Sequence, residues 1–448
     1  MPRGRRSQDE FTNGLPPSAQ PRCAQQNHDT PSTHCSANLP SQHQPRAPKF
    51  PSSPVHYPNE HQEDPEKGSR SIDIYSPTRP RLRLKERLRH FTWAWFTLVM
   101  STGGVSLLLF AQPHQVPAFF QIGFALWVLT LALFHLVMSA MVARFVLHPG
   151  TLTASLTHRR EGFFMPTFFL SCATLVTSTH RYAIPHDAWP LQGAITAVFW
   201  GYVAITLLLA VLQYSYMFAS HSFGLQTMMP TWILPIFPIM LSGTIASVIS
   251  DTQLDIHAVP IVVGGLTCQG LGMSVSLIMY SHKVGRLMQS GFPDREHRPG
   301  LFMNVGPPSF TALAIIGMAN GLPDTFDSGT GMHGIIDAAV LRTLAVVGAV
   351  SLWGLALWWF GVALVSILLS PPRHFHLGFW AMVFPNTGFV LATISLGNAF
   401  QCEPVLYVAN ALSAFLIVTY VLILGLHMRA VILQDIMYPG CDEDADEH

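Results

Sequence analysis

Charge is the first thing this sequence has little of. Only 11% of its 448 residues are Asp, Glu, Lys or Arg, against about 25% in soluble domains. Together with 49% hydrophobic residues and a positive mean hydropathy, that scarcity excludes a soluble globular chain and points to a polytopic membrane protein. Basic and acidic residues balance at 25 each, so bulk charge suggests no nucleic-acid partner. Cysteine is also sparse. Cys23, Cys35, Cys172, Cys268, Cys402 and Cys441 form no CxxC pair, and two sit in apolar runs, so neither a disulfide framework nor a metal site is expected. The amino-terminal MPRGRRSQDEF lacks an apolar core, so no cleavable signal peptide is expected and the first span must serve for insertion.

What is present falls into three parts. Residues 1–80 are rich in Pro, Ser, Gln, His and Arg and poor in aliphatics, which predicts a disordered tail. Its histidines (His28, His34, His43, His56, His61) are irregularly spaced and predict no metal. Residues 81–433 hold the membrane domain, and 434–448, ending CDEDADEH, read as a solvated acidic tail. Ten apolar segments follow residue 90, near 91–111, 119–145, 162–182, 191–218, 229–250, 257–281, 300–320, 336–369, 377–400 and 404–432. Each meets the ~20 residues a membrane-spanning helix needs. The fold expected is therefore an all-α polytopic membrane protein of ten antiparallel spans.

Loop charge orients it. One set of loops carries Arg144, Arg159, Arg160, Lys283, Arg286, Arg295, Arg298 and Arg373. The other has Arg181 but is marked mainly by Asp187, Asp251, Asp255, Asp324, Asp327 and Glu403. The excess of positive charge predicts that the first set and both termini are cytoplasmic. Just before the first span, the bases of RLRLKERLRHFTWAW and the belt of Trp93 and Trp95 read as a bilayer anchor.

Prolines recur in the odd spans: Pro166 in the third, Pro235 and Pro238 in the fifth, Pro307 and Pro308 in the seventh, Pro385 in the ninth. In the first, Gly103 and Gly104 are the comparable weak point, while among the even spans the sixth has Pro260 near its start. Steps from Gly103 to Pro166, Pro238, Pro308 and Pro385 are 63, 72, 70 and 77 residues. One weak point per helical hairpin, five times over, predicts five hairpins about an axis, breakable helices inside and continuous ones outside. Backbone groups freed by proline cannot face lipid but are tolerated beside water, so these helices should line a hydrated pore. Ser171, Thr244, Thr311 and Thr387 are the candidate polar lining. A kink frees carbonyls, which suit cations, whereas a true break exposes N–H groups, which suit anions. The near-absence of acids in the odd spans tilts the reading towards anions.

Five stretches carry a family resemblance: RHFTWAWFTLVMSTGG (89–104), FVLHPGTLTASLTH (145–158), WILPIFPIMLSGTIAS (232–247), REHRPGLFMNVGPPSFTALAIIGMA (295–319) and FPNTGFVLATISLGNAF (384–400). Residues 89–432 resemble the tellurite-resistance/dicarboxylate transporter family, most of all its fungal malic acid branch, and plant slow anion channels share that fold. The resemblance implies a central pore within five hairpins, occluded by the phenylalanine directly before a proline in the ninth helix, here Phe384. Phe237 before Pro238 repeats the pair and would add a second constriction. It also implies a homotrimer and transport of malate or related C4-dicarboxylates, with sulfite efflux, the activity of a sister branch, as the alternative. One departure is Arg159-Arg160, where the family pattern leads one to expect a Pro and a Ser or Thr. The positive pair could attract dicarboxylates.

Remaining ionisable residues near spans are His135, His180, Asp337 and Arg342. His135 could relay protons in a symporter, though a neutral, hydrogen-bonded imidazole is the plainer reading. Asp337 and Arg342 could pair or meet substrate. Gly317 and Gly321 form a GxxxG match that suggests close helix packing. No catalytic set faces a cavity, so an intramembrane enzyme is not expected, and no cofactor is called for. The expectation is an integral protein, of the plasma membrane, carrying small organic anions.

Overall fold

The computed structural model describes residues 80–443 except 186, 187, 223, 225, 227 and 324–336. The expected disordered tail up to residue 79, the last five residues and the loop acids Asp187, Asp324 and Asp327 lie outside the described residues.

All ten spans are present, as Trp93–Phe110, Pro117–Leu147, Glu161–Ala183, Trp189–Ser220, Pro230–Thr252, Ile256–Ser290, Arg295–Asn320, Ala338–Leu369, Leu377–Ala399 and Glu403–Leu433. The elements formed by the described residues are α or 3-10 helices. The α-helices of the odd spans close into a ring: the first packs on the third, the third on the fifth, the fifth on the seventh, the seventh on the ninth, and the ninth on the first. Even spans pack outside them. In the most apolar windows of the odd spans, 61–89% of residues are buried, against 17–44% in the even spans.

Every odd span has the same construction: a 3-10 segment runs into an α-helix. The α-helices start at Phe96, Pro166, Phe237, Gly306 and Phe384, spaced 70, 71, 69 and 78 residues apart. In four of them a proline occupies the first or second helical position. There its fixed φ suits the helix and its missing N–H costs nothing. The prolines therefore mark a change of helix type, and the chain does not break. Hydrogen bonds such as Val383 N to Trp380 O (3.0 Å) and Thr387 N to Val383 O (2.9 Å) carry the backbone across the junction. Prolines also start three outer helices, at Pro117, Pro190 and Pro404, where they sit at span ends instead of mid-span.

Gly103 and Gly104 are no weak point. They lie inside the unbroken α-helix Phe96–Phe110, and the junction of the first span is at Phe96. These glycines permit close packing: a β-carbon at Gly103 would lie 3.2 Å from Thr130 Cγ2, and one at Gly104 3.4 Å from the Phe384 ring. Gly317 does the same for the seventh span against the fifth, 2.7 Å from Ser247 Cβ.

Two charges assigned above to loops are buried ties. Arg144 Nη2 donates to Glu161 Oε2 at 3.1 Å and Nη1 to Phe91 O at 2.8 Å, joining the first three spans. Lys283 Nζ donates to Asn304 Oδ1 at 2.6 Å, joining the sixth and seventh. Nor is the carboxy-terminal tail simply solvated. Ile436 and Met437 enter the core, and Asp442 and Glu443 are only 6% and 8% exposed.

Candidate functional site

Residues spaced three or four apart on a helix share one face. In the third span that face is Thr167, Leu170, Thr174, Thr177 and Arg181; in the ninth it is Phe384, Thr387, Leu391, Ile394 and Asn398. Such stripes enclose cavities that follow one another along the ring. At the termini-side mouth lies a cavity of about 250 Å³, with Arg160, Glu296, His297 and His376 in its wall. Met303 and Gly378 also border the next, of about 10 Å³. Beyond it is one of about 20 Å³, and then a vestibule of about 1070 Å³ at the opposite end. The two small cavities have room for about one water each.

Phe384 stands between the two small cavities and borders both. Its ring is 4% exposed and stacks on Phe310, centroids 5.1 Å apart. Both rings fit because glycine faces them: a β-carbon at Gly388 would sit 2.8 Å from Phe310. Phe237 and Pro385 border the small cavity on the termini side, and Gly306 makes room for the Phe237 ring. The constriction is aromatic and apolar.

Of the four expected lining residues, Thr244 and Thr387 face the cavities. Ser171 and Thr311 do not. Each is one position beyond a facing residue (Leu170 and Phe310), a rotation of about 100° on a helix of 3.6 residues per turn. Ser171 Oγ instead donates to Phe96 O at 3.0 Å, and Thr311 Oγ1 accepts from Gln269 Nε2 at 2.7 Å. Among the facing hydroxyls, Thr174, Thr177 and Thr387 donate to the carbonyl four residues back. Thr244 Oγ1 has no partner and is free to donate to a passing acceptor.

The charges flanking the path were only partly foreseen. The large vestibule is bordered by Arg181 and Arg342. Arg181 lies 3.7 Å from Asp251, and Arg342 Nη2 donates to Leu322 O at 3.1 Å. Asp337 does not pair with Arg342; it caps its own helix by accepting from Ala339 N. No Asp or Glu borders the vestibule or the two small cavities among the described residues. His135 lies exposed on an outer helix, hydrogen-bonded to Leu131 O at 2.7 Å, away from the cavities. His180 is buried and paired with Thr252 Oγ1 at 3.0 Å. At the termini-side mouth His376 is bonded to Glu296 O, and burial, with His297 beside it, pushes its pKa down to about 4. The described residues hold no His/Cys/Asp/Glu cluster suited to a metal.

A closed ring of helices around an axial file of cavities, basic at its wide end and carrying no acid along its inner length among the described residues, is the architecture of a membrane channel or carrier for anions. The chain belongs to the voltage-dependent anion channel family, whose family model matches residues 90–428. It is 34% identical to a malic acid transport protein of Schizosaccharomyces pombe over 82% of this chain and 84% of that one. A putative malic acid transport protein of the same yeast is 31% identical, over 82% of this chain and 86% of its own. A sulfite efflux pump of Trichophyton rubrum is more distant, 23% identical over 70% and 84%.

Proposed function

We propose that the chain moves small organic anions, malate and other C4-dicarboxylates foremost, along the axis of the inner ring, with Phe384 as the gate. The observation that carries this is the file of cavities meeting at one aromatic ring, with two arginines at the wide mouth and no acid in the three inner cavities among the described residues. A four-carbon diacid is much larger than a water, so it passes the two small cavities only if Phe384 swings aside. Arginines at the vestibule raise the local concentration of dianions, and the Thr244 hydroxyl replaces part of the hydration shed on entering. Phe237 narrows the same passage on the termini side. The similarity to two malic acid transport proteins favours dicarboxylates over sulfite.

The proposal extends to the setting: the plasma membrane, with both termini cytoplasmic as the loop arginines suggest, and a homotrimer as the family resemblance suggests. Uptake of labelled malate, succinate and sulfite, measured in parallel in yeast expressing the chain, tests the substrate. Entry of malate is the expected result. Sulfite tolerance without malate uptake would replace this reading with sulfite efflux.

A further inference from the structure

The termini-side mouth differs from the rest of the path in holding carboxylates. Glu296, Asp442 and Glu443 border it together with Arg160, His297 and His376. Glu296 is already engaged, accepting from Arg373 N at 3.1 Å and His374 N at 3.2 Å. The other two acids arrive on a strap built to bring them there. After the tenth span, Gln434 turns the chain with φ 61° and clasps Leu82 by accepting from its N–H at 3.0 Å. Ile436 and Met437 pin the strap in the core. Beyond that pin, Gly440 adopts φ 79°, a left-handed turn that glycine takes without strain. It delivers Asp442 and Glu443 to the mouth, where Tyr438 N donates to Asp442 Oδ2 at 2.8 Å and Thr92 Oγ1 donates to Glu443 Oε2 at 2.9 Å. Arg87, whose charge burial disfavours, is supported electrostatically by Asp442.

Burying two acids is costly unless donors hold them, and here Tyr438 N and Thr92 hold them at the entrance to an anion path. We propose that residues 440–443 are a removable acidic cap, and that the mouth beneath it, bordered by Arg160, His297 and His376, is a docking site for an organic diacid that the chain's own two carboxylates now fill. This rests on the anion-transport reading and adds a regulatory competitor to it. With the cap in place, its fixed negative charge repels a dianion and its backbone covers the opening. When it lifts about Gly440, the strap stays pinned by Ile436 and Met437, and the Arg160 guanidinium and the ring N–H groups of the mouth face the solvent. Binding of a diacid and seating of the cap exclude one another.

Two measurements test it. In yeast expressing the full chain, Glu443→Gln and, separately, Asp442→Asn should lower the KM for malate, by about tenfold for the loss of one hydrogen bond to a charged group, without lowering the maximal rate. In the solubilised full chain, maleimide should modify Cys441, which shares the cap, about tenfold faster in Glu443→Gln than in the parent, with Cys441→Ser giving the background. Thr92→Val should act in the same direction in both assays. Equal Cys441 labelling in parent, Glu443→Gln and Thr92→Val would overturn the cap, as would an unchanged or raised KM in both acid variants. If no form takes up malate, the transport reading fails while the labelling rates still decide the cap.

Discussion

The inner and outer rings differ modestly in hydropathy and sharply in burial. Mean hydropathy is 1.3–1.9 for the inner spans and 1.7–2.3 for the outer, ranges that overlap, whereas the buried fractions of 61–89% and 17–44% do not. Apolarity therefore says which segments enter the bilayer and leans towards the outer ones, but the fifth and sixth spans, 1.9 and 1.7, would be placed in the wrong rings by it. Mid-span change of helix type separates the rings: the inner helices pass from 3-10 to α inside the membrane, and the outer ones run as α-helix through it. A 3-10 segment has poorer hydrogen-bond geometry than an α-helix, so it belongs where neighbouring protein or water shelters it.

The sharpest way to break this arrangement is to remove the tie at its foot. Glu161→Ala leaves Arg144 buried and unpaired, and should destabilise the protein by about 3–5 kcal/mol, read as a large loss of folded protein in detergent. Next is the constriction: Phe384→Ala should raise malate flux roughly tenfold or more, the factor for ~1.4 kcal/mol off a barrier. Unchanged or lower flux in a normally expressed variant would remove the gate. Thr244→Val should reduce flux by about threefold to tenfold, the range for one ordinary net hydrogen bond, with expression unaltered. The smallest effect concerns pH. His376, held near 4 against an ordinary 6.5, binds its proton more readily when unfolded. Its contribution to stability is therefore level above about 6.5 and declines as pH falls towards 4. Melting curves between pH 7 and 4.5 for the parent and His376→Gln should converge at the acid end. A rise in malate uptake as external pH falls from 7 to 5, beyond the rise in singly protonated malate, would indicate proton coupling.

Much of the fold could be read from residue order alone. Ten spans and the inner placement of the odd ones followed from long apolar runs and from prolines that recur mid-span. Local direction was harder. Ser171 and Thr311 look as suitable for a polar lining as Thr174 and Thr244, and only the helical register turns them about 100° off the axis. Gly103 and Gly104 resembled a break because glycine serves both flexibility and close approach; here Thr130 and Phe384 pack against them. Arg144 and Lys283 looked like loop charges because their partners, Glu161 and Asn304, are 17 and 21 residues away in sequence. The acidic tail looked solvated because the contact that seats it, Thr92 to Glu443, spans 351 residues. Phe384 was singled out by family resemblance, and its place between two cavities belongs to the three-dimensional arrangement.

The claim beneath all of this is that the inner stripes face water and the outer helices face lipid. Cysteines placed singly at Thr174, Thr387 and Leu391 inside, and at Leu208 and Leu422 outside, can be exposed to a small, charged, membrane-impermeant thiol reagent in intact membranes. The account predicts that the inner positions react, Leu391 at the vestibule fastest and Thr174 and Thr387 more slowly, as the small cavity opens with Phe384, and that the two outer positions stay inert. Reaction at Leu208 and Leu422 with silence at the inner three would contradict it.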